Sequence, residues 1–213
     1  MSPHIGDTTV EPRREEGSVR RRRVATHRTI EPVRVVHDDP WITATVANIH
    51  FNNGKSISDF LLLKTKGNGF ISVSARLKDG RFLFVRQCKP TSGMSIESVA
   101  GGCRKGTAHA RTALHEMIEE TGFQPERLIR LNSRGFLPLT DRVNNRCHLF
   151  LALDCIPTKE KRVQDEKQGV EAYILTPKEV LDHIRKGKIQ DLATLAGIFA
   201  HFAYKAGYFQ SEN

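Results

Sequence analysis

Cysteine is scarce in this chain and never closely paired. Cys88, Cys103, Cys147 and Cys155 include no CxxC and no zinc-like spacing, which argues against a structural zinc site or a disulfide framework. Cys147 and Cys155 flank an apolar strand pattern and read as buried, reduced thiols, which favours a cytoplasmic setting. Long hydrophobic runs are also missing. None approaches the ~18–20 apolar residues a membrane-spanning helix needs, and no apolar segment follows the N-terminal charges, as a secretory signal would require. The single tryptophan, Trp41, is expected in the core or at a contact between subunits. Acidic residues are outnumbered, 24 against 33 basic, giving a net charge of +9. Such an excess suits a nucleic acid, an acidic membrane or a polyanionic small substrate, and charge alone does not choose among them. What remains is ordinary: 38% hydrophobic and 27% charged residues over 213 positions suffice for one well-buried domain with an extension.

Residues 1–29 lack hydrophobic periodicity and carry Arg20, Arg21, Arg22 and Arg23, so a disordered basic tail is expected there. The arginine run reads either as a nucleic-acid or nuclear-import patch or as a solubilising tail. The latter is favoured, because short basic motifs often arise by chance. From Ile30 the pattern alternates as strands do. Val33–Val36, Trp41–Phe51, Ser58–Lys64, Phe70–Leu77 and Phe82–Gln87 are expected strands, with Asn52-Asn53-Gly54 and Lys78-Asp79-Gly80-Arg81 as turns. An irregular link over Cys88–Gly93 leads to a short strand, Ile96–Ala100.

The stretch Gly101–Phe123, GGCRKGTAHARTALHEMIEETGF, is the most informative part of the chain. Thr107 is the expected N-cap of a helix ended by Gly122, with Pro125 preventing its resumption. Ala110, Ala113, Leu114, Met117 and Ile118 are the expected apolar face. Glu116, Glu119 and Glu120 share one face by their i, i+3 and i+4 spacing. They crowd the helix end that already carries partial negative charge, so a cation must offset them, from basic side chains or a bound metal. Strands follow at Leu128–Leu131, Arg146–Asp154 and Val170–Leu175. Thr176-Pro177-Lys178-Glu179 is a capping box opening a helix to Arg185. A last helix, Asp191–Lys205, presents Leu192, Leu195, Ala196, Phe199, Phe202 and Ala203 on one side. The order implies an α+β domain over residues 30–213, with a mixed sheet packed between helices and an N-terminal antiparallel strand region.

In register from Gly101, the stretch resembles the Nudix box, G-x5-E-x7-R-E-U-x-E-E-x-G-U, where U is apolar. Gly101, Glu116, Met117, Glu119, Glu120, Gly122 and Phe123 match, whereas Thr107 replaces the first Glu and His115 the Arg. The flanks resemble the ADP-ribose pyrophosphatase branch: Phe84-Val85-Arg86-Gln87-Cys88-Lys89-Pro90, Glu97-Ser98-Val99-Ala100-Gly101, Pro138, and Asn145-Arg146-Cys147-His148-Leu149-Phe150-Leu151-Ala152. The resemblance spans about Val33 to Phe202. It implies the Nudix fold, an α/β/α sandwich, and Mg²⁺- or Mn²⁺-dependent hydrolysis of a nucleoside diphosphate linked to another moiety, of ADP-ribose or nucleotide-sugar type. It also implies a homodimer built through the N-terminal strands.

Residue by residue, the resemblance implies Glu116 and Glu120 as principal metal ligands, joined by Glu119 and the backbone carbonyl of Ala100. Glu166, beside Asp165 in a charged loop, matches the general base, and Glu119 supports the chemistry. Gln87, Lys89 and Glu97 match positions near the substrate, and Arg104 with Lys105 can reach phosphates. Lys89 keeps the charge of the usual arginine without its planar fork, and His115 cannot form the bidentate contact the box arginine makes. Metal binding is expected to be retained, weaker than in an intact box, and turnover reduced. Two other readings stand beside hydrolysis: a Nudix-fold module that senses such a ligand, and action on RNA ends, for which no aromatic-studded basic strand speaks. His148 reads as a strand histidine.

Overall fold

The computed structural model describes residues 24–159 and 169–208; Arg20–Arg23 and the Asp165–Glu166 pair lie outside them. Alternating β-branched and aromatic residues make the early strands, but these sort into two sheets. β1 (Arg28–Asp38), β2 (Ile42–Phe51) and β3 (Ser56–Thr65) form an antiparallel sheet, and a two-residue strand from later in the chain, β10 (Val143–Asn144), pairs parallel to β3. Arg28 and Thr29, assigned by sequence to the tail, belong to β1 because they pair with Phe51 and His50.

The second sheet starts with β4 (Phe70–Leu77) and β5 (Phe82–Lys89). The expected irregular link after Gln87 is instead a tight hairpin, since Cys88 and Lys89 pair with Met94 and Gly93 of β6 (Gly93–Glu97). The single strand expected over Ile96–Ala100 is broken at Ser98. Before the break β6 pairs with β5, and after it β7 (Val99–Gly102) pairs with β4. β8 (Phe123–Gln124) and β9 (Arg127–Arg130) pair with β11 (Cys147–Pro157), which runs parallel to β4, while β12 (Glu171–Leu175) closes the other edge against β5. The sheet is therefore mixed.

Its two faces follow from period-two alternation. Ile71, Val73, Leu83, Val85, Phe150 and Ala152 pack on Ala113 and Met117 of α1 (His109–Thr121). Phe82, Phe84 and Leu175 pack on Val180 of α2 (Pro177–Arg185) and Ile198 of α3 (Leu192–Lys205), while Leu151 and Leu153 meet Ala200. The expected α+β layering, a sheet between helices, is what forms. The capping box at Thr176 and Glu179 is present, with both reciprocal bonds made.

The helix faces differ from expectation. α3 buries Thr194, Gly197, Ile198 and His201 and leaves Leu192 61% and Phe199 58% exposed. Close approach decides this. A β-carbon on Gly197 would stand 2.6 Å from Ser74 Cβ, and His201 Nε2–H donates to the Ser74 carbonyl at 2.7 Å. Burial lowers His201 to about 4, so the ring is neutral. Small residues, together with the His201 bond to the Ser74 carbonyl, let this helix settle on β4 more closely than the stripe of larger apolar side chains permits.

Candidate functional site

α1 places the acidic cluster, and its orientation corrects two expectations. Thr107 is not the N-cap. Its N–H bonds to the Arg104 carbonyl at 3.2 Å in the turn before the helix, and Ala108 is the cap, without a side-chain bond. The buried face is Thr112, Ala113, Met117 and Thr121; Leu114 is exposed. This face is rotated from the expected one, so Glu116 and Glu120 sit half-buried at its margin rather than opposite it. Gly122 ends the helix in the left-handed conformation, as the sequence implies.

Both carboxylates are turned toward β7. Glu116 packs on the α-carbon of Gly101, and Glu120 accepts the Ala100 backbone N–H at 3.3 Å. Burial raises Glu120 to about 8, helped by the neighbouring Glu116 charge, while the Ala100 N–H and Lys89 act against the rise. Burial likewise raises Glu116, with Glu119 adding and His115 and Arg104 opposing. Glu119 stands at the rim, its Oε2 3.2 Å from His115 Nδ1. This is an i, i+4 contact on the helix surface, one atom to one atom, unlike the two-pronged contact an arginine makes.

The hairpin supplies the opposite side. Gln87 is buried in β5; Lys89 Nζ lies 3.5 Å from Glu97 Oε2 at the end of β6. Between Glu97 and Ala100, Ser98 is off both ladders, and its N–H donates to Thr194 Oγ1 at 2.8 Å. Left unpaired at this depth, such a donor costs about 1–3 kcal/mol. The fold thus gathers Gln87, Lys89, Glu97, Ala100, Arg104, Glu116, Glu119 and Glu120 around β7 and the last turns of α1. Glu166 is outside the described residues.

Glu116 and Glu119 open onto a groove of about 1360 Å³ whose walls include Arg104, Lys105, Arg111, Lys66 and Trp41. Trp41, expected in the core or at a contact between subunits, is 77% exposed and so lies outside the core. It follows a tight turn in which Asp39 Oδ1 accepts the N–H groups of Trp41 and Ile42, both at 2.7 Å. The His37 hydrogen bond, followed by these two, lowers Asp39 to about 2. A carboxylate-capped turn holding an exposed indole was a readable signal in Asp39-Pro40-Trp41; Arg111 and Lys66 had none. His148 is a buried strand residue, as expected. Its Nδ1 accepts from Arg130 at 2.7 Å, and its ring lies on that of His109 with centroids 3.6 Å apart.

The donor set suits a hard divalent cation. It offers carboxylate groups one helical turn apart, Glu116 and Glu120, both raised in proton affinity by burial and by their neighbouring carboxylates. Among the described residues, no three His, Cys, Asp or Glu side chains stand close enough together to hold a cation by themselves. An open site of this kind fits an ion such as Mg²⁺, which keeps several waters and takes one or two carboxylates together with substrate phosphates.

Known proteins resemble this chain in sequence and in fold. The profile of the NUDIX domain family matches residues 66–195. An ADP-ribose pyrophosphatase of Bacillus subtilis (strain 168) is 29% identical over 154 residues, covering 72% of this chain and 80% of that protein. A methanol dehydrogenase activator of Bacillus methanolicus is 30% identical over 132 residues, covering 61% and 70%. The crystal structure of an ADP compounds hydrolase shares the fold, with a TM-score of 0.69 at 16% identity over 87% of this chain and 98% of that one.

Proposed function

The chain belongs to the NUDIX family, on its ADP-ribose pyrophosphatase-like side, and from that membership we propose that it hydrolyses the pyrophosphate bond of a nucleoside diphosphate linked to another moiety, of ADP-ribose or nucleotide-sugar type. One observation carries the proposal: Glu116 and Glu120, raised in proton affinity by burial, are held on Gly101 and Ala100, and Glu116 opens onto a groove whose walls carry Lys66, Arg104, Lys105 and Arg111. Nudix hydrolases generally use divalent cations; here Mg²⁺ or Mn²⁺ would be held by Glu116, Glu120 and Glu119 with the Ala100 carbonyl. Such an ion supplies neutralisation of the pyrophosphate and activation of water.

The remaining roles belong to the protein. Arg104 and Lys105 offset phosphate charge that the acids would repel. Trp41 offers a flat apolar face on which a nucleobase stacks. Glu97 holds Lys89 beside the same site, and buried Gln87 supports the strand that carries it. Glu166, which precedes β12 in the sequence, is proposed to take the proton from the attacking water. Attack on one phosphorus breaks its bond to the bridging oxygen and releases two monophosphates.

The protein's partner is proposed to be a second copy, since β1 is exposed along its length and carries Val33, Val35 and Val36 outward. Among the described residues no helix is long and apolar enough to cross a membrane. A sensing role is the competing reading, favoured by His115 and Thr107 where the family has Arg and Glu. Incubation with nucleoside diphosphate sugars, dinucleotides and capped RNA, with Mg²⁺ or Mn²⁺, separates the readings. Two monophosphates from the first class support hydrolysis. Thermal stabilisation by ADP-ribose without products supports sensing, and cleavage of capped RNA alone supports action on RNA ends.

A further inference from the structure

The two sides of the site meet at Ser98. On one side of it Glu97 holds Lys89; on the other the Ala100 N–H holds Glu120. Because β6 pairs with β5 and β7 with β4, no ladder bond fixes the residue where the chain changes partner. Its N–H is instead received by Thr194, 96 residues later and fully buried in the first turn of α3. The Thr194 hydroxyl has its own direction fixed, since it donates to Asp191 Oδ2 at 2.7 Å while the Thr194 N–H donates to the same oxygen at 2.7 Å. With its proton committed to Asp191, the hydroxyl oxygen presents a lone pair to Ser98.

We propose that Thr194, oriented by Asp191, is a positioning residue that sets the Glu97–Ala100 segment, and through Ala100 the place of Glu120. The relay joins the helix on one face of the sheet to the carboxylates served by the helix on the other. It rests on the proposed metal site only for its consequence in Mn²⁺ affinity, because the geometry it fixes exists without substrate or metal.

Thr194→Val removes the hydroxyl at nearly constant volume, and Thr194→Ser restores it. Amide hydrogen exchange on metal-free protein is the first readout. Loss of one such bond predicts about tenfold faster exchange at Ser98 and Ala100 in Thr194→Val, with β11 amides unchanged. Affinity for Mn²⁺ falls about three- to tenfold by the same loss, and Thr194→Ser stays close to wild type in both readouts. Unchanged exchange at Ala100 in a folded Thr194→Val overturns the proposal, as does an equal loss in Thr194→Ser. Should the valine variant not fold, the wild-type protein decides. Ser98 exchange at the slow rate of global unfolding supports the relay, and exchange as fast as in the Pro90–Ser92 turn overturns it. Wild-type protein that hydrolyses no nucleoside diphosphate counts against the hydrolytic reading alone, since the amide measurements still decide the relay.

Discussion

The side chain of Glu116 fills the space beside the α-carbon of Gly101: a β-carbon built there would stand 2.6 Å from Glu116 Cγ, with the carboxylate closer still. The box glycine is therefore required by the box glutamate, across a gap in sequence that the fold closes. Gly101→Ala is expected to push Glu116 aside, lowering divalent-cation affinity tenfold or more and costing about 1–3 kcal/mol of stability by overpacking. Calorimetric titration with Mn²⁺ alongside denaturant unfolding checks both; unchanged affinity contradicts the arrangement.

The buried carboxylates make metal-free stability depend on pH. Glu120 rises from its ordinary 4.5 to about 8, so between those values the folded state binds more protons than the unfolded one. Stability from this group is present at low pH and is lost as pH climbs from about 4.5 to 8, by a few kcal/mol at most. His201 acts oppositely: lowered from 6.5 to about 4, it withdraws stability as pH falls through that range. Unfolding curves of metal-free wild type should therefore weaken toward pH 8. Glu120→Gln should abolish most of that decline, and a divalent cation, which needs the ionised form, should reverse it.

His115 meets Glu119 through one nitrogen at the helix surface. His115→Arg supplies the missing fork, and metal affinity and turnover are expected to rise about three- to tenfold, the worth of one charge-assisted bond partly exposed to water. Titration and initial rates of the variant measure this. A fall in both shows that His115 has been accommodated by another arrangement.

Trp41 stands on the groove wall with its ring available. Base stacking on an aromatic ring is worth about 1–3 kcal/mol, so Trp41→Ala should raise KM by about 5- to 150-fold with kcat little changed, and Trp41→Phe should retain much of the binding. Steady-state kinetics on a nucleoside diphosphate sugar distinguishes this from a structural role, which would lower kcat or melting temperature as well.

Much of the fold was legible because periodicity reports burial. The alternating runs of β4 and β5, the apolar run of β11 and the capping box at Thr176 all stand where the residues imply. The helix faces were not. Hydropathy favours Leu192 and Phe199 over Thr194 and Gly197, yet close approach to Ser74 and the His201 bond decide which side α3 presents. The same holds in α1, where Thr112 and Thr121 are buried and Leu114 is not. At the site, the spacing of Glu116, Glu119 and Glu120 was plain in sequence. The break at Ser98 and the Thr194 bond depend on contacts between distant segments, which no local pattern carries.

The central claim is that the acidic end of α1 is a hydrolytic metal site. Product analysis of ADP-ribose incubated with Mg²⁺ or Mn²⁺, for wild type and Glu120→Gln, tests it most directly. AMP and ribose 5-phosphate from the wild type, reduced at least a hundredfold in Glu120→Gln, is the predicted result, about the effect of removing a group on which charge stabilisation depends. Equal product from both proteins, or ADP-ribose recovered intact from a wild type shown to bind the metal, would contradict it.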